Sequence, residues 1–136
     1  MRVLAQIGLV ALGSACGGLT RWGVTVAAAR WLGTAWPFGT LLINVSGSLF
    51  LGWFMTILSR NLLLSDHAWL RPDDLKLTIA VGFTGAYTTF STFEWESHAL
   101  ARDGQGWSAA LYVIASVALG LLAVHGGVML AGGTQH

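Results

Sequence analysis

The sequence predicts an all-α membrane protein with four transmembrane helices, of which the third is broken near the middle of the membrane. Hydrophobic residue types make up 54% of the 136 residues and charged types only 10%, whereas soluble domains carry roughly 25% charged residues. Long apolar stretches separate the few charges, and four segments reach the roughly 20 residues of helix that cross a hydrocarbon core about 30 Å thick. We therefore interpret residues 1–136 as a single transmembrane domain.

The first two predicted spans, at about residues 3–29 and 38–58, are apolar except for a few side chains, among them Arg21 and Asn44. A carboxamide at mid-span is costly unless it finds hydrogen-bond partners. We expect Asn44 to face a partner helix or a water-filled path. Its residue type leaves both a structural hydrogen bond and a role in conduction open.

The third predicted span, at about residues 75–98, has an unusual composition between residues 82 and 93. That segment holds two glycines, five Thr or Ser residues and four aromatic residues. Glycine and β-branched Thr are poor helix formers, and hydroxyls compete for backbone carbonyls. The composition predicts a helix break between residues 85 and 89. Broken helices at membrane depth are tolerated where protein or a water-filled cavity surrounds them, so the freed carbonyls indicate a bound alkali ion or a pore wall.

Phe90 and Phe93 are three residues apart and share one face of a helix, close to Thr89 and Thr92. Aromatic rings have a positive edge, so a path lined by ring edges and hydroxyl donors would favour a small anion over a cation. Aromatic residues at this spacing are more often part of a core. The spacing leaves both interpretations open.

The fourth predicted span, at about residues 107–130, carries Ser108, Tyr112, Ser116 and Gly120 at intervals of four. This small and polar ridge predicts either a hydrogen-bonding track or a helix contact. Small residues four apart elsewhere, such as Gly13 and Gly17, predict close helix packing within the chain. Four short helices packed together leave no conduit, so a conducting protein of this kind must form oligomers.

The charges argue against several classes of function. A net charge of +1 offers no basic face for nucleic acid. The sequence shows no nucleophile–base pair, metal-ligand cluster or phosphate-binding loop, so an enzyme is not expected. We interpret Glu94, Glu96 and His98 as the solvated end of a helix. Four basic residues on one predicted side face two or three on the other, and this weak bias permits insertion in both orientations.

Three motifs together carry a resemblance to a known family. They are GGLTR at residues 17–21, GTLLINVSG at residues 39–47 and GFTGAYTTFSTF at residues 82–93. In combination and in span order the chain resembles the Fluc, or CrcB, family of bacterial fluoride channels. The resemblance implies a multi-pass protein of the bacterial inner membrane that forms an antiparallel, dual-topology homodimer. It further implies two fluoride pores, a central structural sodium ion and no organic cofactor.

The resemblance also implies roles for particular residues. The backbone carbonyls of Gly85 and Thr88 would bind sodium, and Arg21 would lie in the pore vestibule. The fluoride pore would be lined by Asn44, Thr89, Phe90, Ser91, Phe93, Tyr112 and Ser116. Tyr87 departs from the family pattern, because small or aliphatic residues are usual beside the sodium ligands.

Two other functions compete with a fluoride channel. Small multidrug exporters also have four short spans and can be dual-topology, but they resemble one another in a carboxylate deep in the first span. The first span here has no Asp or Glu. The other alternative is a noncatalytic assembly subunit whose polar residues only bind partner helices.

Overall fold

The computed structural model describes residues 2–62 and 71–132. Within these ranges the chain forms helices and turns and contains no β-strand. The long helices are α1 (Arg2–Leu32), α2 (Phe38–Leu62), α5 (Phe90–Arg102) and α6 (Gly106–Leu130). Between α2 and α5 lie α3 (Pro72–Leu75), a π-helix (Lys76–Thr84) and α4 (Gly85–Tyr87). The four ranges predicted as spans coincide with these helices to within four residues at each end.

Three helices of the described ranges have the length and hydropathy to cross a membrane, namely Arg2–Leu32, Phe38–Arg60 and Gly106–Leu130. The third predicted span differs because it is divided into shorter pieces on either side of residues 88 and 89. Many large hydrophobic side chains on these helices are exposed, such as Leu121 at 68% and Ile114 at 66%. Continuous apolar surface of this kind indicates contact with lipid or with partner helices. The fold is therefore that of a helical membrane protein.

Glycines allow α1 to approach the third span closely. A Cβ atom at Gly13 would collide with the carbonyl of Thr78, and one at Gly17 would collide with the carbonyl of Phe83. Backbones come this close in membrane helices where small residues line the contact. The predicted packing role of Gly13 and Gly17 within the chain is confirmed.

Glycines also bring α2 and α6 close together. A Cβ atom at Gly52 would collide with the carbonyl of Val124, and one at Gly127 would collide with the carbonyl of Leu49. With α1 on the third span and α6 on α2, the helices bring the middle of the third span against the middle of α2. That contact positions the candidate site.

The π-helix was not predicted from the sequence. Its backbone hydrogen bonds reach back five residues, as where the Gly85 amide donates to the Ala80 carbonyl. The Thr84 hydroxyl also donates to the Ile79 carbonyl at 3.0 Å. Here the π-helix runs directly into the turn that precedes the helix break.

Candidate functional site

The third span is interrupted at Thr88 and Thr89, inside the range in which the sequence predicts a break. Both residues are extended, with φ −78° and ψ 160° at Thr88 and φ −152° and ψ 117° at Thr89. Helix α5 begins at Phe90, and the Thr89 hydroxyl caps it by accepting a hydrogen bond from the Thr92 amide at 3.3 Å. The break is therefore a defined two-residue structure.

Asn44 of α2 supports this break. Its Oδ1 accepts a hydrogen bond from the Thr89 amide at 2.8 Å, and its Nδ2 donates to the Thr89 carbonyl at 3.0 Å. Both backbone groups of Thr89 are satisfied by one side chain, which removes the free-energy penalty of leaving them unpaired away from water. The sequence left open whether Asn44 makes a structural hydrogen bond or takes part in conduction. In the structure it makes hydrogen bonds between α2 and the third span.

Arg21 of α1 lies on the other side of the break. Its Nη1 is 3.5 Å from the Thr88 carbonyl oxygen, a long hydrogen bond. The residue predicted for a vestibule thus places its fixed positive charge beside the interrupted backbone. Hydroxyls nearby bond locally, as the Thr88 hydroxyl does to the Thr84 carbonyl at 2.9 Å.

A cavity of about 280 Å³ lies between the break, α2, α5 and α6. It brings together five of the residues predicted to line a pore: Asn44, Thr89, Phe90, Phe93 and Ser116. The two phenyl rings are 5.7 Å apart between centroids and tilted by 41°. Phe93 is 9% exposed whereas Phe90 is 69% exposed, so the cavity has one enclosed wall and one wall open to the surroundings of the chain.

Ser116 is the unusual member of this cavity. Among the buried side-chain polar atoms of the described ranges, its Oγ alone has no hydrogen-bond partner. Buried polar groups are almost always paired, so an unpaired one calls for a specific explanation. Ser116 lines the cavity, and its buried hydroxyl hydrogen is not engaged by another protein group.

The structure separates Ser91 and Tyr112 from this cavity. Ser91 is exposed on α5. Tyr112 is fully buried, and its hydroxyl donates to the Glu96 carboxylate at 2.8 Å. Thr40 donates to the other carboxylate oxygen of Glu96 at 2.9 Å.

Glu96 is a site residue that the sequence interpretation missed. The interpretation of Glu96 as part of a solvated helix end is wrong, because a buried tyrosine and a buried threonine bind both of its oxygens. Its neighbours Glu94 and His98 are exposed. A signal was present in the spacing, since Glu96 follows Phe93 by three residues and so lies on the same face of the helix.

A second cavity, of about 340 Å³, contains both Arg21 and Glu96. Thr40 and Thr92 also line it, and Thr89 lines both this cavity and the one with the phenyl rings. The two cavities therefore adjoin at Thr89. One cavity is lined by groups of opposite charge, and the other is lined by aromatic and uncharged polar residues.

Sodium binding by Gly85 and Thr88 is chemically compatible with the break. The Thr89 amide would donate to the Gly85 carbonyl in a continuous α-helix, but it donates to Asn44 instead. The extended Thr88 leaves the helix direction, and Gly85 is exposed. No group of three His, Cys, Asp or Glu side chains is found in residues 2–62 and 71–132, and hard cations bind well to carbonyl oxygens. The Gly85 carbonyl therefore suits an alkali ion, and the Thr88 carbonyl would be a second ligand once its long contact with Nη1 of Arg21, at 3.5 Å, is released.

Comparison with known proteins places this site in a family. A family model described as CrcB-like protein, Camphor Resistance (CrcB), matches residues 8–128. Fluoride-specific ion channel FluC of Solibacter usitatus is 42% identical over 123 residues, which cover 90% of this chain and 95% of the relative. The protein of the same name from Acidobacterium capsulatum is 48% identical over 115 residues, covering 85% and 86% of the two chains.

The FluC protein of Chloroflexus aurantiacus is 41% identical over 121 residues, covering 89% of this chain and 90% of the relative. The matched regions contain both cavities, the helix break and the asparagine that supports it. Because the family model and these relatives extend over nearly all of the sequence, the chain belongs to the CrcB family.

Proposed function

We propose that the protein is a fluoride-selective passive ion channel that releases fluoride from the cytoplasm and so relieves fluoride toxicity. The observation that carries this proposal is the unpaired Ser116 hydroxyl in a cavity with the Phe90 and Phe93 rings. We infer that the transported anion is fluoride because relatives are named as fluoride-specific ion channels. An enzymatic function is set aside, because those relatives are channels.

Fluoride is small and strongly hydrated, so a selective path must replace its water with hydrogen-bond donors. The Ser116 hydroxyl supplies one donor. The Asn44 amide carries two N–H hydrogens, and one of them bonds the Thr89 carbonyl, which leaves the other for an anion. The positive edges of Phe90 and Phe93 add weak attraction. None of these groups is a fixed positive charge that would trap the ion.

The route begins in the cavity of Arg21 and Glu96. Arg21 attracts anions to the vestibule, while the Glu96 carboxylate, which accepts hydrogen bonds from the Thr40 and Tyr112 hydroxyls, limits how tightly an anion binds there. Fluoride then passes Thr89, which lines both cavities. Tyr112 does not line this route, and its role is to hold the Glu96 carboxylate by a hydrogen bond.

The functional unit is an antiparallel homodimer in the lipid bilayer of the bacterial inner membrane. Exposure of Phe90 at 69% supports this, because a second chain is needed to enclose the open wall of its cavity. Exposed Ser91 reaches a pore only where a partner covers α5. Each subunit crosses the membrane four times, with the third span broken at Thr88 and Thr89.

A sodium ion at the subunit contact is a structural element of this proposal. The Gly85 and Thr88 carbonyls of one chain supply two oxygens, and an antiparallel partner would supply the same two. When bound, the ion would satisfy the Gly85 carbonyl that the break has released and would take the place of Arg21 at the Thr88 carbonyl. The chain's own contribution is to hold those carbonyls outside a helix, through Asn44 and the extended Thr88.

Two other functions account for fewer of these structural features. A multidrug-type exporter needs a carboxylate in the first span, and α1 has no acidic residue. An assembly subunit would use its polar side chains on partner helices, and this leaves the unpaired Ser116 hydroxyl in the cavity unexplained.

Reconstitution into liposomes tests the function. Liposomes loaded with fluoride or with chloride are compared under a potassium current set by valinomycin, and anion efflux is recorded with an ion-selective electrode. We expect fast fluoride efflux and negligible chloride efflux. Equal efflux of both anions, or none of either from an intact dimer, would contradict a fluoride-selective channel.

A further inference from the structure

Tyr87 occupies the turn between the two residues proposed to bind sodium. It follows Gly85 by two residues and precedes Thr88 directly. Its side chain is 9% exposed, and its hydroxyl oxygen lies 2.8 Å from Oγ of Ser46 on α2. This buried aromatic residue therefore makes a defined contact with the neighbouring helix.

The direction of this hydrogen bond follows from the other contacts of Ser46. The Ser46 hydroxyl donates to the Leu42 carbonyl at 2.6 Å. A serine hydroxyl has one hydrogen and two lone pairs, so Ser46 accepts and Tyr87 donates. The result is a chain from the Tyr87 hydroxyl through Ser46 to the backbone of α2.

The Tyr87 ring contacts two neighbouring residues. Phe83 stacks against it with a centroid distance of 5.8 Å and an interplanar angle of 14°. Gly47 lies close as well, because a Cβ atom there would be 3.2 Å from the Tyr87 ring and would collide with the Thr88 methyl group. These contacts and the burial of the ring restrict its movement, so its hydroxyl can anchor the turn.

The helix break thus has two attachments to α2. Asn44 binds Thr89 on its C-terminal side, and Ser46 binds Tyr87 on its N-terminal side. The Gly85 and Thr88 carbonyls lie at the part of the chain that these attachments fix. Loss of the Tyr87 attachment would leave the break held to α2 by Asn44 alone.

We propose that Tyr87 is a positioning residue whose hydroxyl, bound to Ser46, holds the turn of the helix break so that its carbonyls point toward the cation. The part of this proposal that concerns sodium rests on the proposed function. The attachment of the turn to α2 stands on the contacts of Tyr87 and Ser46.

The test compares Tyr87→Phe, Ser46→Ala and the double variant with the unmodified protein. Tyr87→Phe removes the hydrogen bond to Ser46, and Ser46→Ala removes that bond together with the local one to the Leu42 carbonyl. Both changes keep the packing, so the sodium concentration for half-maximal thermal stabilisation should rise about threefold to tenfold. The double variant should be no worse than the single ones, because both changes break the same bond. Ser46→Thr keeps a hydroxyl and should restore the original sodium dependence.

Ser59→Ala is the matched control on the same helix. The Ser59 hydroxyl donates to the Thr56 carbonyl of its own helix at 2.9 Å, so its removal should leave the sodium dependence unchanged. Hydrogen exchange of the backbone over residues 84–90 provides a second measurement that does not depend on sodium. Exchange there should be faster in Tyr87→Phe than in Ser59→Ala.

The outcomes separate this proposal from the proposed function. If the unmodified protein requires sodium but Tyr87→Phe has the same sodium dependence, the positioning role is overturned and the sodium site remains. Additive effects in the double variant would also overturn it. If the unmodified protein is indifferent to sodium, the sodium site fails, and unchanged exchange over residues 84–90 would then overturn the attachment as well.

Discussion

The carboxamide of Asn44 binds both the amide and the carbonyl of Thr89, at 2.8 and 3.0 Å. This pair explains how a helix can be interrupted inside a membrane protein. Since the Asn44 side chain takes the place of the helical partners of Thr89, the break requires no water at that residue. It also leaves the Gly85 carbonyl without the amide that would normally bond it.

Replacement of Asn44 by Leu should destabilise the protein. It leaves the amide and the carbonyl of Thr89 unpaired, and a buried unsatisfied group costs about 1–3 kcal/mol. We expect a clearly lower thermal midpoint in detergent and loss of fluoride efflux. An unchanged midpoint would show that the helix break forms without Asn44.

Gly17 and Gly18 form a matched pair for testing the packing of α1. A Cβ atom at Gly17 would collide with the carbonyl of Phe83, whereas one at Gly18 meets nothing within 4 Å. Gly17→Ala should therefore destabilise the protein by about 1–3 kcal/mol through overpacking. Gly18→Ala should be neutral or stabilising by up to about 1 kcal/mol, because alanine is the better helix former. Thermal unfolding of both variants decides the matter, and equal effects would contradict the described helix contact.

Sodium should stabilise the protein when compared with a bulky cation at the same ionic strength. A ligand that binds only the folded state adds about 2.7 kcal/mol at one hundred times its dissociation constant. The thermal midpoint should rise with sodium and stay constant with N-methylglucamine. Indifference to the identity of the cation would reject a sodium site at Gly85 and Thr88.

Tyr112→Phe tests the Glu96 hydrogen bonds. The change removes one of two donors to a carboxylate, and hydrogen bonds to charged groups contribute about 1.5–3 kcal/mol. We expect reduced stability and altered fluoride efflux from this variant. Glu94→Gln is the control, since Glu94 is exposed on the same helix and its change should have little effect.

Much of the helical architecture follows from local sequence properties. Hydropathy locates the long helices, and the clustering of Gly and Thr locates the break near Thr88. The partners of individual side chains could not be predicted in the same way, because they depend on the register between helices distant in sequence. Asn44 meets Thr89 only because α2 and the third span align at that height. Glu96 was assigned to solvent because its charge was considered without Tyr112, which lies one helix away.

The π-helix and the Tyr87 contact were hidden for a related reason. Gly13 and Gly17 of α1 lie directly against the π-helix, and composition alone does not contain that contact. Tyr87 was recognised as a departure from the family pattern, but its partner Ser46 emerged only from the structure.

In the proposed channel, fluoride passes the cavity formed by Phe90, Phe93 and Ser116. Fluoride efflux should be measured first from liposomes that contain the variant with both Phe90→Ile and Phe93→Ile. Isoleucine keeps an apolar wall but removes the positive ring edges, so we expect fluoride efflux to be abolished while the dimer stays assembled. Undiminished fluoride efflux from this variant would show that fluoride does not depend on these rings.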